Sequence, residues 1–302
     1  MRIPEYPDFA PLTADLKEEM HPRLALTPDG VSEFTFSGLY LFRERYGYKI
    51  ARSGPNGALI VSGTQPADSH GGAHAGKKFF LTPCEAPDRA VVESLFAGHD
   101  YWKNISESVL SGARRILADI GIEAVEDRDN FDYLYERAEL AELAGKKYHK
   151  KRNLVQQYLN LHAHEELPLT SELVPAALGI LDEWREERGE GDYRAAREAL
   201  ELFDSLAMKG RLYFADGKPA GYCLGESLAK GRMFAVHFEK GLERYKGIYQ
   251  FINKDFAASL PGFFTHINRE QDLGDEGLRQ AKTTYRPAGF VVKYRACPAG
   301  RE

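Results

Sequence analysis

The chain has 302 residues, enough for two cores at roughly 150 residues per domain, with 43% hydrophobic and 28% charged residues and a net charge of −5. That balance excludes a chain-wide basic footprint for DNA or RNA, so any phosphate contact has to come from a local patch. No apolar run approaches the roughly 20 residues of a membrane span, and three widely spaced cysteines, Cys84, Cys223 and Cys297, fit reduced thiols in a cytoplasmic protein rather than a disulfide framework.

The N-terminal segment, Met1 to Pro7, has no signal-type apolar stretch, and Leu12 to Met20 is expected to form a short helix before Pro22. Ser32 to Tyr48 combines a strand-like start with a helix carrying Tyr40, Phe42 and Tyr46. Strands at Tyr48–Arg52 and Ala58–Gly63 flank the turn signal Ser53-Gly-Pro-Asn-Gly. A Gly- and His-rich loop covers Gln65 to Lys77, a further strand starts at Lys78, and an amphipathic helix covers Ser106 to Ile120. Asn130 to Tyr135 is aromatic and strand-like. The period then changes to helical around the basic run Lys146 to Arg152.

The second half opens with a helix from Glu172 to Arg188, capped at Ser171, and a helix from Tyr193 to Met208. Strands follow at Gly210–Ala215, Ala220–Leu228 and Gly231–Lys240, then a helix at Gly247–Ser259 and a strand at Phe263–Asn268. A short helix from Asp275 to Lys282 and a last strand from Phe290 to Arg295 complete the chain. This α+β order matches a GNAT-like acyltransferase fold. The first half shows a weaker version of it, which gives two tandem GNAT-like domains, 1–165 and 166–302, each a mixed sheet flanked by helices.

Three constellations could carry chemistry. In Ala235-Val-His-Phe-Glu-Lys240, strand alternation puts His237 and Glu239 on one face and Lys240 on the other. In Arg244-Tyr-Lys-Gly-Ile-Tyr249, a basic loop enters a helix at a glycine, leaving N–H groups free for a phosphate. Arg244 and Gly247 match the pyrophosphate loop of the acetyltransferases, with Lys246 beside them, but Tyr249 stands where that pattern has a small residue. The third is Asn268 to Pro287, where Arg269, Asp272, Lys282 and Tyr285 crowd the end of a strand. The run Lys146 to Arg152, ending at Asn153, reads either as a solvated face or as a phosphate contact through Lys147, Lys151, Arg152 and Asn153. His70 with His74, and His162 with His164, have spacings unsuited to a metal, and no metal site is expected.

Phe131-Asp-Tyr-Leu-Tyr, Gly145 to Asn153, His237-Phe-Glu-Lys240, Lys246 to Gln250, and Asn268 to Lys282 with Tyr285-x-Pro287 resemble the DUF2156 proteins, which are related to the C-terminal domain of phosphatidylglycerol lysyltransferase. The resemblance implies a cleft between two GNAT-like domains that takes an aminoacyl-tRNA, with a catalytic cluster near His237, Lys240 and Lys282. A carboxylate is expected about where His237 stands, and Glu239 is its neighbour. Lys282 or Arg269 would stabilise an oxyanion, and Glu239, His237 or Asp272 would deprotonate the acceptor. Tyr285 would donate to the leaving ribose oxygen. No tightly bound cofactor is expected. The donor is aminoacyl-tRNA or an acyl-CoA, and the acceptor a small molecule or peptide. A non-catalytic module holding a small ligand is the remaining reading.

Overall fold

The computed structural model describes residues 2–54, 57–67 and 74–300. Fourteen named strands build two seven-stranded sheets. The first half supplies β1 (Ala10–Pro11), β2 (Lys49–Arg52), β3 (Leu59–Thr64), β4 (Lys78–Leu81), β5 (Tyr101–Ile105), β6 (Ala124–Glu126) and β7 (Asp132–Glu136). The second supplies β8 (His164–Pro168), β9 (Lys209–Ala215), β10 (Lys218–Leu228), β11 (Met233–Gly241), β12 (His266–Asn268), β13 (Gly289–Val291) and β14 (Tyr294–Ala296).

The two sheets repeat one plan. The first runs β1-β2-β3-β4-β5-β14-β6 and the second β8-β9-β10-β11-β12-β7-β13. In each, the fourth and fifth strands are the parallel pair, β4 with β5 and β11 with β12. In each, the sixth place is filled by a strand from the other half of the chain. β7 lies between β12 and β13, and β14 between β5 and β6. This is the tandem GNAT-like architecture, with its sixth strands exchanged. The division expected at 165/166 falls inside β8, and the exchanged strands cross it.

Strand alternation sorts side chains into two cores. Leu59, Val61, Phe79, Leu81 and Tyr101 join an apolar cluster that runs through both halves. Ile60, Phe80 and Trp102, the intervening residues, pack beneath helices Arg89–Gly98 and Glu107–Asp119. Burial on both faces is why these strands read as near-continuous apolar runs.

Several local expectations hold. The helix expected from Ser106 is observed over Glu107–Asp119, with Ser106 accepting from Val109 N, whereas helix Arg89–Gly98, capped by Asp88 accepting from Val91 N, was not expected. The β9–β10 hairpin turns through Asp216 and Gly217, both at positive φ. Cys223 is buried in the core.

Others are corrected. The helix expected from Glu172 starts at Val174 with Pro175 in its first turn, and Ser171 gives its hydroxyl to Asp204 instead of capping. The helix expected over Tyr193–Met208 divides into Tyr193–Glu201 and Phe203–Leu206. Ser32 is in no strand; its N–H and hydroxyl both bind Asp132. The single strand expected over Phe290–Arg295 is two strands in different sheets, β13 and β14, with buried Lys293 between them. His70 lies outside the described residues. No group able to hold a metal ion, and no helix long and apolar enough to cross a membrane, occurs among the described residues.

Candidate functional site

The parallel strands β11 and β12 stay paired only from Met233↔His266 to Ala235↔Asn268. β11 then continues against β10 as far as Gly241, while the chain after Asn268 turns away through Glu270 and Leu273, both at positive φ. A wedge opens where the pairing ends. His237 and Glu239 enter it from β11, and Arg269 and Glu270 from the turn.

At its centre, Arg269 Nη2 lies 2.8 Å from Glu239 Oε1, with side chains 16% and 10% exposed. Burial pushes the Glu239 carboxyl up, and Arg269 and a hydrogen bond from Asn253 oppose the rise. The Arg269 guanidinium is 5.4 Å from the ring centroid of Tyr285. Burial pushes the Tyr285 phenol up to about 12, and its hydroxyl is held by Gln250 and Arg269. Lys151, from helix His149–Leu161, places Nζ 3.9 Å from the same ring.

The other predicted cluster residues surround this centre. His237 Nδ1 is 2.7 Å from Glu270 Oε1, and Nε2 is 3.1 Å from Glu226 Oε1. Burial disfavours its charged form, but the two carboxylates prevail and push it up to about 10, an imidazolium at neutral pH. Lys282 Nζ caps three successive carbonyls, Arg269 O at 2.7 Å, Glu270 O at 3.1 Å and Gln271 O at 2.6 Å. Its burial draws it down to about 8. Asp272 is fully buried and accepts from Arg279, Tyr133, Arg128 and Gly274 N. Burial opposes its ionisation, but these donors hold it at about 2. Lys240 points to the opposite face of β11, as alternation requires, with Nζ 2.6 Å from Asp192 Oδ1 and 3.7 Å from the Trp184 ring.

The residues expected to hold a donor divide. Arg244 pairs with Glu183, and Lys246 is exposed. Gly247 has φ +92°, and a Cβ there would stand 2.2 Å from Leu154 O. Tyr249 accepts a hydrogen bond from Trp184 Nε1 at 3.1 Å. In the basic run, Lys147 pairs with Glu139, Arg152 donates to Leu143 O and Gly145 O, and Asn153 is exposed. Only Lys151 of this set reaches the wedge. Sequence reading missed Glu226, Gln250, Asn253 and Asp192. Glu226 carried a usable signal, because a carboxylate inside an apolar strand needs a cation.

The parallel strands that part around a buried carboxylate, a guanidinium and a phenol place the chain among the tandem GNAT-like proteins. The chain belongs to the family of phosphatidylglycerol lysyltransferase C-terminal domains, whose model matches residues 24–297. It is similar to a conserved protein of unknown function from Bacteroides thetaiotaomicron, 27% identical, with 96% of this chain and 98% of that one covered at a TM-score of 0.83. It also shares its fold with L-PGS from Bacillus licheniformis, 14% identical, with 100% and 95% covered and a TM-score of 0.64. The DUF2156 C-terminal domain of a candidate lysylphosphatidylglycerol synthetase from Agrobacterium fabrum is 15% identical, with 95% and 93% covered and a TM-score of 0.62. Among curated proteins there is no matching relative.

Proposed function

We propose that the chain moves an aminoacyl group from aminoacyl-tRNA to an amine or hydroxyl of a small-molecule or peptide acceptor bound in the wedge. The observation that carries this reading is the buried Glu239–Arg269 pair beside Tyr285 at the point where β11 and β12 separate. Glu239 takes the acceptor's proton as its nitrogen or oxygen bonds to the ester carbonyl carbon. A carboxyl raised by burial is nearer neutral pH and so a better base. Arg269 faces the tetrahedral oxyanion, and Tyr285 gives its proton to the ribose oxygen as the ester bond breaks. Beyond these proton transfers only positioning and charge stabilisation are required, because the ester is already activated.

His237, set between two carboxylates, has a positioning role in this scheme, since an imidazolium has no lone pair left to accept a proton. Lys282 holds the 269–271 turn in shape, and Asp272 anchors helix Glu276–Thr283 through Arg279. An acyl-CoA donor is disfavoured by the loop at Arg244–Tyr249. Its arginine is paired with Glu183, and its glycine faces the Leu154 carbonyl.

Charged tRNA incubated with the full chain and a panel of amine and hydroxyl acceptors tests the reading. Acceptor-dependent loss of the aminoacyl group, abolished in Glu239→Gln, is the expected result. Turnover of acetyl-CoA with charged tRNA untouched would overturn it.

A further inference from the structure

The basic run at the start of helix His149–Leu161 is not uniform. Lys147 has Glu139 at 2.6 Å, Arg152 has two backbone carbonyls, and His149 Nδ1 meets Lys146 O at 3.0 Å. Lys146 and Lys150 stand exposed on the surface. Lys151 is half-buried over Tyr285, and among the described residues its ammonium has neither a hydrogen-bond acceptor nor a carboxylate partner.

The surroundings sharpen the imbalance. Burial, and then the charge of Arg269, push the Lys151 ammonium down. Glu239, the carboxylate beside that arginine, is already held by Arg269 and Asn253. A cation partly withdrawn from water and held only over a ring gains when an anion supplies acceptors. One carboxylate would satisfy Lys151 alone. The exposed lysines at 146 and 150 favour a ligand with successive negative charges.

We propose that Lys151 seats a phosphate of the donor, the phosphodiester next to the aminoacylated end of the RNA, with Lys146 and Lys150 along its approach. This rests on the aminoacyl-tRNA reading for the source of the phosphate. The alternative source of the same chemistry is the phosphates of CoA.

The test uses the full chain and its Lys151→Gln and Lys151→Arg variants, with three probes: deacylated tRNA, the trinucleotide cytidylyl-cytidylyl-adenosine, and CoA. Lys151→Gln should raise the Kd of the trinucleotide about tenfold, the effect of losing one hydrogen bond to a charged group. It should also make the plot of log K for tRNA against log salt shallower by about 0.7 to 0.9, the contribution of one phosphate contact. Lys151→Arg, which keeps the charge, should restore both. Unchanged affinity and slope in Lys151→Gln, with tRNA still bound, would overturn the seat and leave the donor reading standing. Lys151-dependent binding of CoA without tRNA binding would keep the phosphate seat and overturn its RNA source. No binding of any probe would overturn both.

Discussion

Lys293 Nζ lies 2.6 Å from Oδ1 of Asp132, and neither side chain is exposed to solvent. The two residues lie where the exchanged strands begin, Asp132 as the first residue of β7 and Lys293 just before β14. Glu33 Oε2 adds a second carboxylate at 2.5 Å from Lys293, and Asp132 also accepts from Ser32 N and Asn268 Nδ2. Burial disfavours the Lys293 charge, but the paired carboxylates outweigh it and keep the ammonium protonated.

Removing one partner of such a pair leaves an uncompensated buried charge, which costs about 3–5 kcal/mol. Lys293→Met should therefore lower the denaturant midpoint by that equivalent with the m-value unchanged. A loss below about 1 kcal/mol would mean the knot contributes little.

Glu239→Gln keeps the shape of the side chain and removes its proton affinity. Transfer from charged tRNA should fall about 10²- to 10⁴-fold, the contribution typical of one acid–base group. Far-ultraviolet circular dichroism should be unchanged, which separates lost chemistry from lost fold.

Lys282→Ala removes the donors from the carbonyls of residues 269–271. The turn that carries Arg269 should loosen, and transfer should be abolished while the protein stays folded. Full activity in this variant would remove Lys282 from the scheme.

His237 sets a pH dependence. Its pKa is about 10 in the folded state against 6.5 in an unfolded chain, so the native protein binds more protons between those values. The stabilisation, a few kcal/mol at most, is complete below pH 6.5 and is lost as pH rises through 10. Urea unfolding from pH 6.5 to 8, before Lys282 has lost most of its charge in the folded state, should show stability falling with pH, and His237→Gln should flatten that slope.

Gly247→Ala combines a positive φ with a Cβ placed 2.2 Å from Leu154 O. A side chain in that conformation costs about 1–3 kcal/mol before the clash is counted. Thermal unfolding should shift down accordingly, with helix Ile248–Ser259 displaced from helix His149–Leu161.

Much of the candidate site was legible because its residues are adjacent in sequence. His237 and Glu239 share a face by alternation, and Arg269, Asp272, Lys282 and Tyr285 fall within one polar segment. What stayed hidden depends on distant pairing. Asp192 shows its meaning only once the helices bring it to Lys240, and Glu226, whose need for a cation was legible, finds His237 only through the pairing of β10. The sequence of the basic run gave no sign that Lys147 would turn to Glu139 and Lys151 to Tyr285. The exchange of β7 and β14 is equally invisible locally, because each strand has the same period whichever sheet receives it. Phe290–Arg295 read as one strand for that reason. Lys293 interrupts it, and only partners 161 and 260 residues away explain a lysine buried there.

The exchange also sets an order of events during synthesis. While the first half leaves the ribosome, the place between β5 and β6 stands empty, and both strands carry open backbone edges toward it. Residues 294–296 fill that gap, and they emerge only after every strand of the second sheet. The first sheet therefore closes only after the strands of the second have been made, and a fragment ending before residue 294 would keep a sticky gap in its middle.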